Sequence, residues 1–280
     1  YQLRLQTVNI DDKLPRFKVV RSSGRCTSPD MEKMKKLKIA MRSDLNMRMG
    51  KMAAQSGHAA MKVLASHMRP SKDGLRLSNA KMNTLNAFLA APDVSFSFVE
   101  DEAAVQTFLG QADDGQKVID NGATEFNGIK TVTCAANGIF TEKWEDAPYD
   151  CAEDGSERKA RQYFIFSRTR PLKKETVCAL AAIGCLSQMA KMLEPDTQSD
   201  YKQYLISSRT NIAFDSWIKS GYAKIALCVV SDEALLDLQA QFDAMGSTTS
   251  LVERDGVKML AVGPEFLDNI SHLTGGLKLI

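Results

Sequence analysis

Alternating apolar and polar positions predict short strands along the chain, and apolar residues at helical spacing predict the helices between them. Residues 37–41 alternate as a half-buried strand does. From Gly50 the apolar positions recur at helical spacing, with no proline until Pro70. Residues 94–99 alternate again, and Asp101-Glu102 begins a short amphipathic helix. This succession of strand, helix and strand is typical of an α/β fold.

The same order of elements returns in the second half of the chain. A predicted strand at 162–166, an apolar helix at 176–192 and a strand at 224–230 follow one another. We therefore expect two tandem α/β domains, each a small mixed four-stranded sheet flanked by helices. The predicted divisions are a basic N-terminal extension at 1–34, a first domain at 35–150 and a second domain at 160–280.

Composition narrows the class of protein. A chain of 280 residues with 44% hydrophobic content is globular and long enough for two domains. No run of about 18 apolar residues is present, so we expect a soluble, cytoplasmic protein without a membrane partner. The first residue is Tyr rather than Met, which indicates a processed or truncated start. Six cysteines without a C-x-x-C pair predict buried, reduced thiols.

Charge is distributed unevenly. Residues 1–51 hold 13 Lys and Arg against 5 Asp and Glu, whereas residues 92–155 hold 3 against 14. The basic end suits a polyanionic partner such as a nucleic acid. A solvated tail explains the lysines between 33 and 38 equally well. The acidic stretch excludes a nucleic-acid surface of its own.

One face of the first predicted helix carries candidate chemistry. Lys51, Gln55, His58 and Lys62 follow one another at spacings that place them on a single face. A cation in the first helical turn opposes the helix dipole unless Lys51 serves a bound anion. A solvated helix face explains the same stripe, and a lone helical histidine is more often structural than catalytic.

The loop at 120–128 is the second candidate. It follows a short predicted strand, where the sites of open α/β sheets are built, and it contains Asp120 and Thr124. A simple turn accounts for its composition as well. No metal-ligand motif links the three histidines, and Met52 stands where a phosphate-binding loop requires Ser or Thr. We expect neither a metal nor a cofactor.

These motifs carry a resemblance to a known family. Residues 41–60, M-R-S-D-L-N-M-R-M-G-K-M-A-A-Q-S-G-H-A-A, resemble the signature R-x-D-L-x-M-x-x-G-K-x-A-A-Q-x-x-H-A of type II (archaeal and eukaryotic type) peptidyl-tRNA hydrolases. The loop is similar to that family's D-x-G-x-T-Q, with Glu125 where Gln is usual. Residues 262–279 resemble its closing G-P…T-G-H-L-K-L, with Gly276 where His is usual.

The resemblance covers about 37–146 as one copy and about 162–280 as a second, which points to a tandem duplication. The second copy shows no clear G-K, Gln or His on its helix, and Lys258 stands where we place Thr133. The first copy keeps the site motifs but lacks the closing L-K-L strand. The second copy is therefore expected to be catalytically degenerate.

The resemblance implies hydrolysis of the ester that joins a peptide to the 3′ end of a tRNA, without a cofactor. Lys51 would bind phosphate or the developing oxyanion, and Asp120 would orient or activate water. The implied catalytic set is Lys51, Gln55, His58, Asp120, Thr124 and Thr133. The expected contacts to tRNA are Lys36, Lys38, Arg42, Asp44 and Arg48.

The expected partner is the acceptor end of peptidyl-tRNA, bound by two domains packed as an intramolecular pseudo-dimer, alone or within a larger assembly. A rival interpretation is a non-catalytic tRNA-binding or structural assembly protein that retains the fold after duplication. The loss of motifs in the second copy and the basic extension fit that interpretation. The intact motif set of the first copy opposes it, because packing alone does not demand those residues.

Overall fold

The structure, a computed structural model, describes residues 36–140, 159–199 and 202–280. These residues belong to one compact unit, Met34–Ile280. The predicted basic extension lies outside the described residues, as does the segment that joins the two repeats. The predicted ends of the extension and of the first domain therefore stay predictions.

The first repeat forms a mixed four-stranded sheet with three helices. Its elements are β1 Lys36–Arg42, α1 Met49–Ala65, β2 Arg69–Ser71, β3 Gly74–Ser78, α2 Asn79–Ala90, β4 Asp93–Val99, α3 Glu102–Leu109, β5 Gln116–Asp120 and β6 Thr131–Asn137. The strand order is β4-β1-β6-β5, with β1 parallel to β4 and antiparallel to β6. A serine or aspartate accepts a hydrogen bond at the first turn of α2 and α3, which explains where both helices begin.

The second repeat has the same topology. Its elements are β7 Ala160–Ser167, α4 Lys174–Met192, β8 Glu194–Pro195, β9 Gln203–Ser207, α5 Ile212–Lys219, β10 Lys224–Val229, α6 Asp232–Ala244, β11 Thr249–Arg254, β12 Val257–Phe266, α7 Leu267–Thr274 and β13 Lys278–Leu279. The order β11-β12-β7-β10 repeats that of the first sheet, and β13 adds a fifth strand on β10. The predicted fold of two tandem α/β repeats is confirmed. In the part of the chain that the structure describes, no helix is long and apolar enough to span a membrane.

A third sheet, which the hydrophobic pattern did not indicate, joins the two repeats. The short hairpins β2-β3 and β8-β9 meet through antiparallel pairing of β3 with β9, from Gly74 opposite Ser207 to Ser78 opposite Gln203. An ion pair between Arg76 Nε and Asp196 Oδ2, 2.7 Å apart, crosses between the repeats. The two halves of the chain therefore share backbone hydrogen bonds as well as side-chain contacts.

The two long helices, α1 and α4, pack against each other in the centre of the molecule. Each also contacts the other repeat's sheet, α1 on β10 and α4 on β4. Small residues permit this close approach: a Cβ at Gly57 would lie 2.9 Å from the buried ring of Phe164 on β7 and 3.1 Å from Cδ of Lys224. One apolar core therefore runs through both repeats and holds α1 from two sides.

This contact predicts that Gly57→Ala destabilises the protein. Alanine favours a helix over glycine by about 1 kcal/mol, yet the added methyl group must displace a packed aromatic ring, and overpacking costs about 1–3 kcal/mol. We expect a lower free energy of unfolding in urea. Gly110→Ala, at the end of α3, is the matched control, because its Cβ would meet nothing closer than 3.6 Å. Equal stability of the two variants would contradict the packing argument.

A second prediction concerns pH. His67, just after α1, is buried against the ring of Phe140, with 4.4 Å between ring centroids. Burial, followed by the charge of Lys81, lowers the pKa of His67 to about 4. Below about pH 6.5 the unfolded chain binds a proton that the buried imidazole does not bind. The free energy of unfolding is therefore highest above about pH 6.5 and decreases as the pH falls towards 4.

We therefore expect the urea midpoint to fall between pH 7 and pH 5, and His67→Phe to reduce that fall. The pKa of His58 is also lowered by burial, so part of the pH dependence should remain in the variant. An unchanged difference between pH 7 and pH 5 in His67→Phe would count against a neutral, buried His67.

Candidate active site

An ion pair between α1 and the end of β5 is the centre of the candidate site. Lys51 Nζ lies 2.5 Å from Asp120 Oδ2, and the two side chains expose only 13% and 12% of their surface. Lys51 is the third residue of α1, and Asp120 is the last residue of β5. The structure thus brings together two predicted site residues that are 69 positions apart in the sequence.

A chain of hydrogen bonds extends this ion pair into the core. Gln55, one turn after Lys51, donates from Nε2 to Asp120 Oδ2 over 2.7 Å. Thr133 on β6 donates to Gln55 Oε1 over 2.8 Å, and its side chain is fully buried. The backbone N–H of Gly122 donates to Asp120 Oδ1 over 2.8 Å. The carboxylate therefore accepts from two donors on α1 and one in the loop, and Thr133 on β6 orients Gln55.

The loop at 120–128 folds back over the start of α1. Lys51 Nζ donates to Thr124 Oγ1 over 3.1 Å, and the ring of Phe126 lies 5.5 Å from the same ammonium. Gly122 has φ +77°, and a Cβ there would lie 2.5 Å from the backbone nitrogen of Ile129, so the turn requires glycine. The loop places a hydroxyl and an aromatic face beside the cation.

His58, also expected at the site, faces the second repeat. Its Nδ1 lies 3.4 Å from Nζ of Lys224 on β10, and its ring contacts Tyr222 edge-on at 6.3 Å. Burial, followed by the charges of Lys224, Lys62 and Lys51, holds the pKa of His58 well below its usual value. The imidazole is therefore neutral near pH 7. Among the described residues, it donates no hydrogen bond to the Lys51–Asp120 pair.

The predicted tRNA contacts lie in four different environments. Arg42 donates to both carboxylate oxygens of Asp44, over 3.0 and 2.6 Å, and keeps only 12% of its side chain exposed. This pairing raises the pKa of Arg42 and lowers that of Asp44. Lys36 pairs with Asp93 over 3.6 Å at the opposite end of β1, and Lys38 lines an open cavity beside α3.

Arg48 is the predicted tRNA contact that touches the loop. Its Nε lies 2.8 Å from Oε1 of Glu125, and Arg48 exposes 75% of its side chain. The site motifs had placed Glu125 and Phe126 in the loop without indicating that they pack against α1. Local sequence patterns do not indicate these two contacts, because each joins residues more than 70 positions apart.

The second repeat has different side chains in the corresponding places. Thr176 is the third residue of α4, as Lys51 is of α1, and its hydroxyl donates to Asp255 Oδ2 over 2.8 Å. Lys258 occupies the place of Thr133. Each directly precedes the residue, Met259 or Cys134, that pairs with the equivalent position of β7 or β1. Lys258 forms an ion pair with Asp232, 2.5 Å apart. In both repeats a carboxylate therefore contacts the third residue of the long helix, but that residue is a cation in the first repeat alone.

The described residues contain no group of three His, Cys, Asp or Glu side chains that could hold a metal ion. What they do contain is a cation, a carboxylate, a hydroxyl and an amide at the strand-end edge of a mixed sheet. Such an arrangement can position water with the carboxylate and stabilise a developing negative charge with the ammonium. Fold and site therefore define an α/β protein whose site contains groups that can act in hydrolysis.

The family model described as peptidyl-tRNA hydrolase PTH2 matches the chain twice, over residues 35–143 and 162–280. The chain belongs to this family and contains its fold in tandem. Membership supports peptidyl-tRNA hydrolase activity at the level of the family. The Lys51–Asp120 pair and the side chains hydrogen-bonded to it lie in the first of the two matched regions.

The buried chain of hydrogen bonds predicts that Thr133→Val destabilises the protein. Valine has nearly the same shape but cannot donate a hydrogen bond. The buried side-chain oxygen of Gln55, Oε1, therefore loses its donor, at a cost of about 1–3 kcal/mol. We expect this loss in the free energy of unfolding measured in urea. Thr131→Val is the control, because Thr131 donates to the Ile129 carbonyl at the exposed start of β6. Equal effects of both substitutions would contradict a buried network.

Proposed function

We propose that the first repeat hydrolyses the ester bond of peptidyl-tRNA at the Lys51–Asp120 pair and releases free tRNA. The observation that carries this proposal is the continuous hydrogen-bond chain from Thr133 through Gln55 to Asp120 and Lys51. Each of these residues occupies a position of the family's motifs. A largely buried polar network is costly to keep for packing alone, which supports a chemical role.

In the proposed reaction, Asp120 orients a water molecule and accepts its proton as the water oxygen attacks the ester carbonyl carbon. The Lys51 ammonium stabilises the negative charge that develops on the carbonyl oxygen. The tetrahedral intermediate then collapses, the bond to the ribose oxygen breaks, and the proton passes to that oxygen. Gln55 and Thr133 act as positioning residues, because they hold Asp120 rather than touch the reacting atoms.

The second repeat is proposed to be a non-catalytic partner that holds α1 in place, so that the two repeats form an intramolecular pseudo-dimer. Thr176 supplies no charge for an oxyanion, which supports this assignment. The last residue of the chain supports it as well: the backbone N–H of Gly50 donates to the Ile280 carbonyl over 3.2 Å, next to Lys51. The Lys224–His58 contact supports the middle of the same helix.

The test is release of free tRNA from a purified N-blocked aminoacyl-tRNA. Lys51→Ala and Asp120→Asn are expected to reduce the rate by about 10²–10⁴, because each removes a group that acts on the transition state. Thr176→Ala is the matched control in the second repeat and should retain the rate. Unfolding of each variant in urea separates lost chemistry from lost folding.

Unchanged cleavage in Lys51→Ala and Asp120→Asn would contradict the proposed site. Salt-sensitive tRNA binding by a wild-type protein that does not cleave would favour the rival function, a tRNA-binding protein on a hydrolase fold. Neither binding nor cleavage would favour a structural role.

A further inference from the structure

The ion pair between Arg48 and Glu125 bridges the start of α1 and the loop at 120–128. Arg48 Nε and Glu125 Oε1 are 2.8 Å apart. Arg48 lies three residues before Lys51, and Glu125 directly follows Thr124, so the pair stands beside the groups that contact the Lys51 ammonium. Arg48 is open to solvent whereas Lys51 is nearly buried, so Arg48 is the more accessible of these two cations to an anion.

The two partners differ strongly in exposure. Arg48 exposes 75% of its side chain, whereas Glu125 exposes 14%. Glu125 is thus fixed in the loop, and the guanidinium reaches over it from the helix. Arg42, the other arginine near the site, is held on two sides by Asp44 and by the carbonyl of Val132. Arg48 is therefore the arginine beside the loop with the most surface open to an incoming phosphate.

The identity of residue 125 determines whether a phosphate must compete with a carboxylate for Arg48. The guanidinium side of the pair lies in water, and ion pairs open to water contribute only about 0.2–1 kcal/mol, so a phosphate can compete with Glu125 for Arg48. A neutral glutamine, the usual residue of the motif, would form no ion pair with Arg48, and dissolved anions would balance the charge of the guanidinium. With Glu125 present, the phosphate replaces the Glu125 carboxylate on Arg48. The freed carboxylate attracts a cation from solution, so about one fewer counterion is released in total.

We propose, building on the proposed function, that Arg48 and Glu125 form an ion pair that the RNA backbone displaces. In the free protein Glu125 holds Arg48, and in the complex a phosphodiester near the acceptor end of the tRNA binds it instead. Glu125 then competes with the released tRNA for the same arginine, which lowers the affinity for product and favours its release. Glu125 is thus an affinity-determining residue rather than a catalytic one.

The test is binding of deacylated tRNA, the product, at several salt concentrations. Glu125→Gln is expected to bind about two- to fivefold tighter at low salt. Its plot of log affinity against log salt should be steeper by up to roughly 0.7–0.9, the slope for one counterion, because the variant frees no carboxylate that takes a cation up again. In the cleavage assay, inhibition by free tRNA should strengthen by the same factor, which a merely structural change would not produce.

Two further variants make the result specific. Asp215→Asn removes the same charge from an exposed ion pair with Lys219 on α5, so it controls for net charge and should shift the salt slope less. In Arg48→Gln/Glu125→Gln the steeper slope should disappear, because the phosphate contact is made by Arg48.

An unchanged slope in Glu125→Gln, in a protein that binds and cleaves its substrate, would overturn the displaceable ion pair and leave the proposed function standing. A slope that changes equally in Asp215→Asn would overturn it as well. If the wild-type protein neither binds tRNA nor cleaves the ester, the proposed function fails, and the role of Glu125 fails with it.

Discussion

The packing of α1 against α4 is the constraint on which the rest of the structure depends. Each helix lies on its own sheet and also contacts a strand of the other repeat's sheet, so neither can shift without disturbing both. The small residues along α1 follow from this, because a larger side chain at Gly57 would meet the Phe164 ring. The apolar face of α1 packs between the two repeats. The face that carries Lys51 and Gln55 is turned towards the loop at 120–128. The position of Lys51 is thereby set by contacts that the second repeat helps to make.

Charge compensation governs the polar groups around the start of the same helix. Lys51 is paired with Asp120, Arg48 with Glu125 and Arg42 with Asp44, so each of these cations near the loop already has a carboxylate partner. The basic excess counted along residues 1–51 therefore overstates the positive surface that the described part of the chain presents. The three pairs differ in burial, and burial decides which of them an incoming anion can open: the exposed Arg48 pair is the weakest, since water screens it most.

The sequence predicted the long helices and the strands of the two main sheets, and it placed Lys51 and Gln55 together. Period and turn signals located the strands and long helices, and the spacing of Lys51 and Gln55 placed them on one helix face. The same spacing includes His58, which nevertheless faces Lys224. A helical wheel gives the direction of a side chain but not which sheet lies there, and here a second sheet lies over that part of α1. The hairpins β2-β3 and β8-β9 were missed because their strands are two to five residues long and gain stability only by pairing with each other.

The difference between the repeats shows how duplication separates folding from chemistry. Both repeats place a hydrogen-bonded aspartate opposite the third residue of the long helix, Asp120 with Lys51 and Asp255 with Thr176. Asp255 exposes 64% of its side chain, so one hydrogen bond from Thr176 and the surrounding water can satisfy it. A lysine adds a full charge in a nearly buried place, where it needs a carboxylate, a hydroxyl and an aromatic ring around it. The first repeat has built that environment from Asp120, Thr124 and Phe126, and folding alone gives no reason to build it.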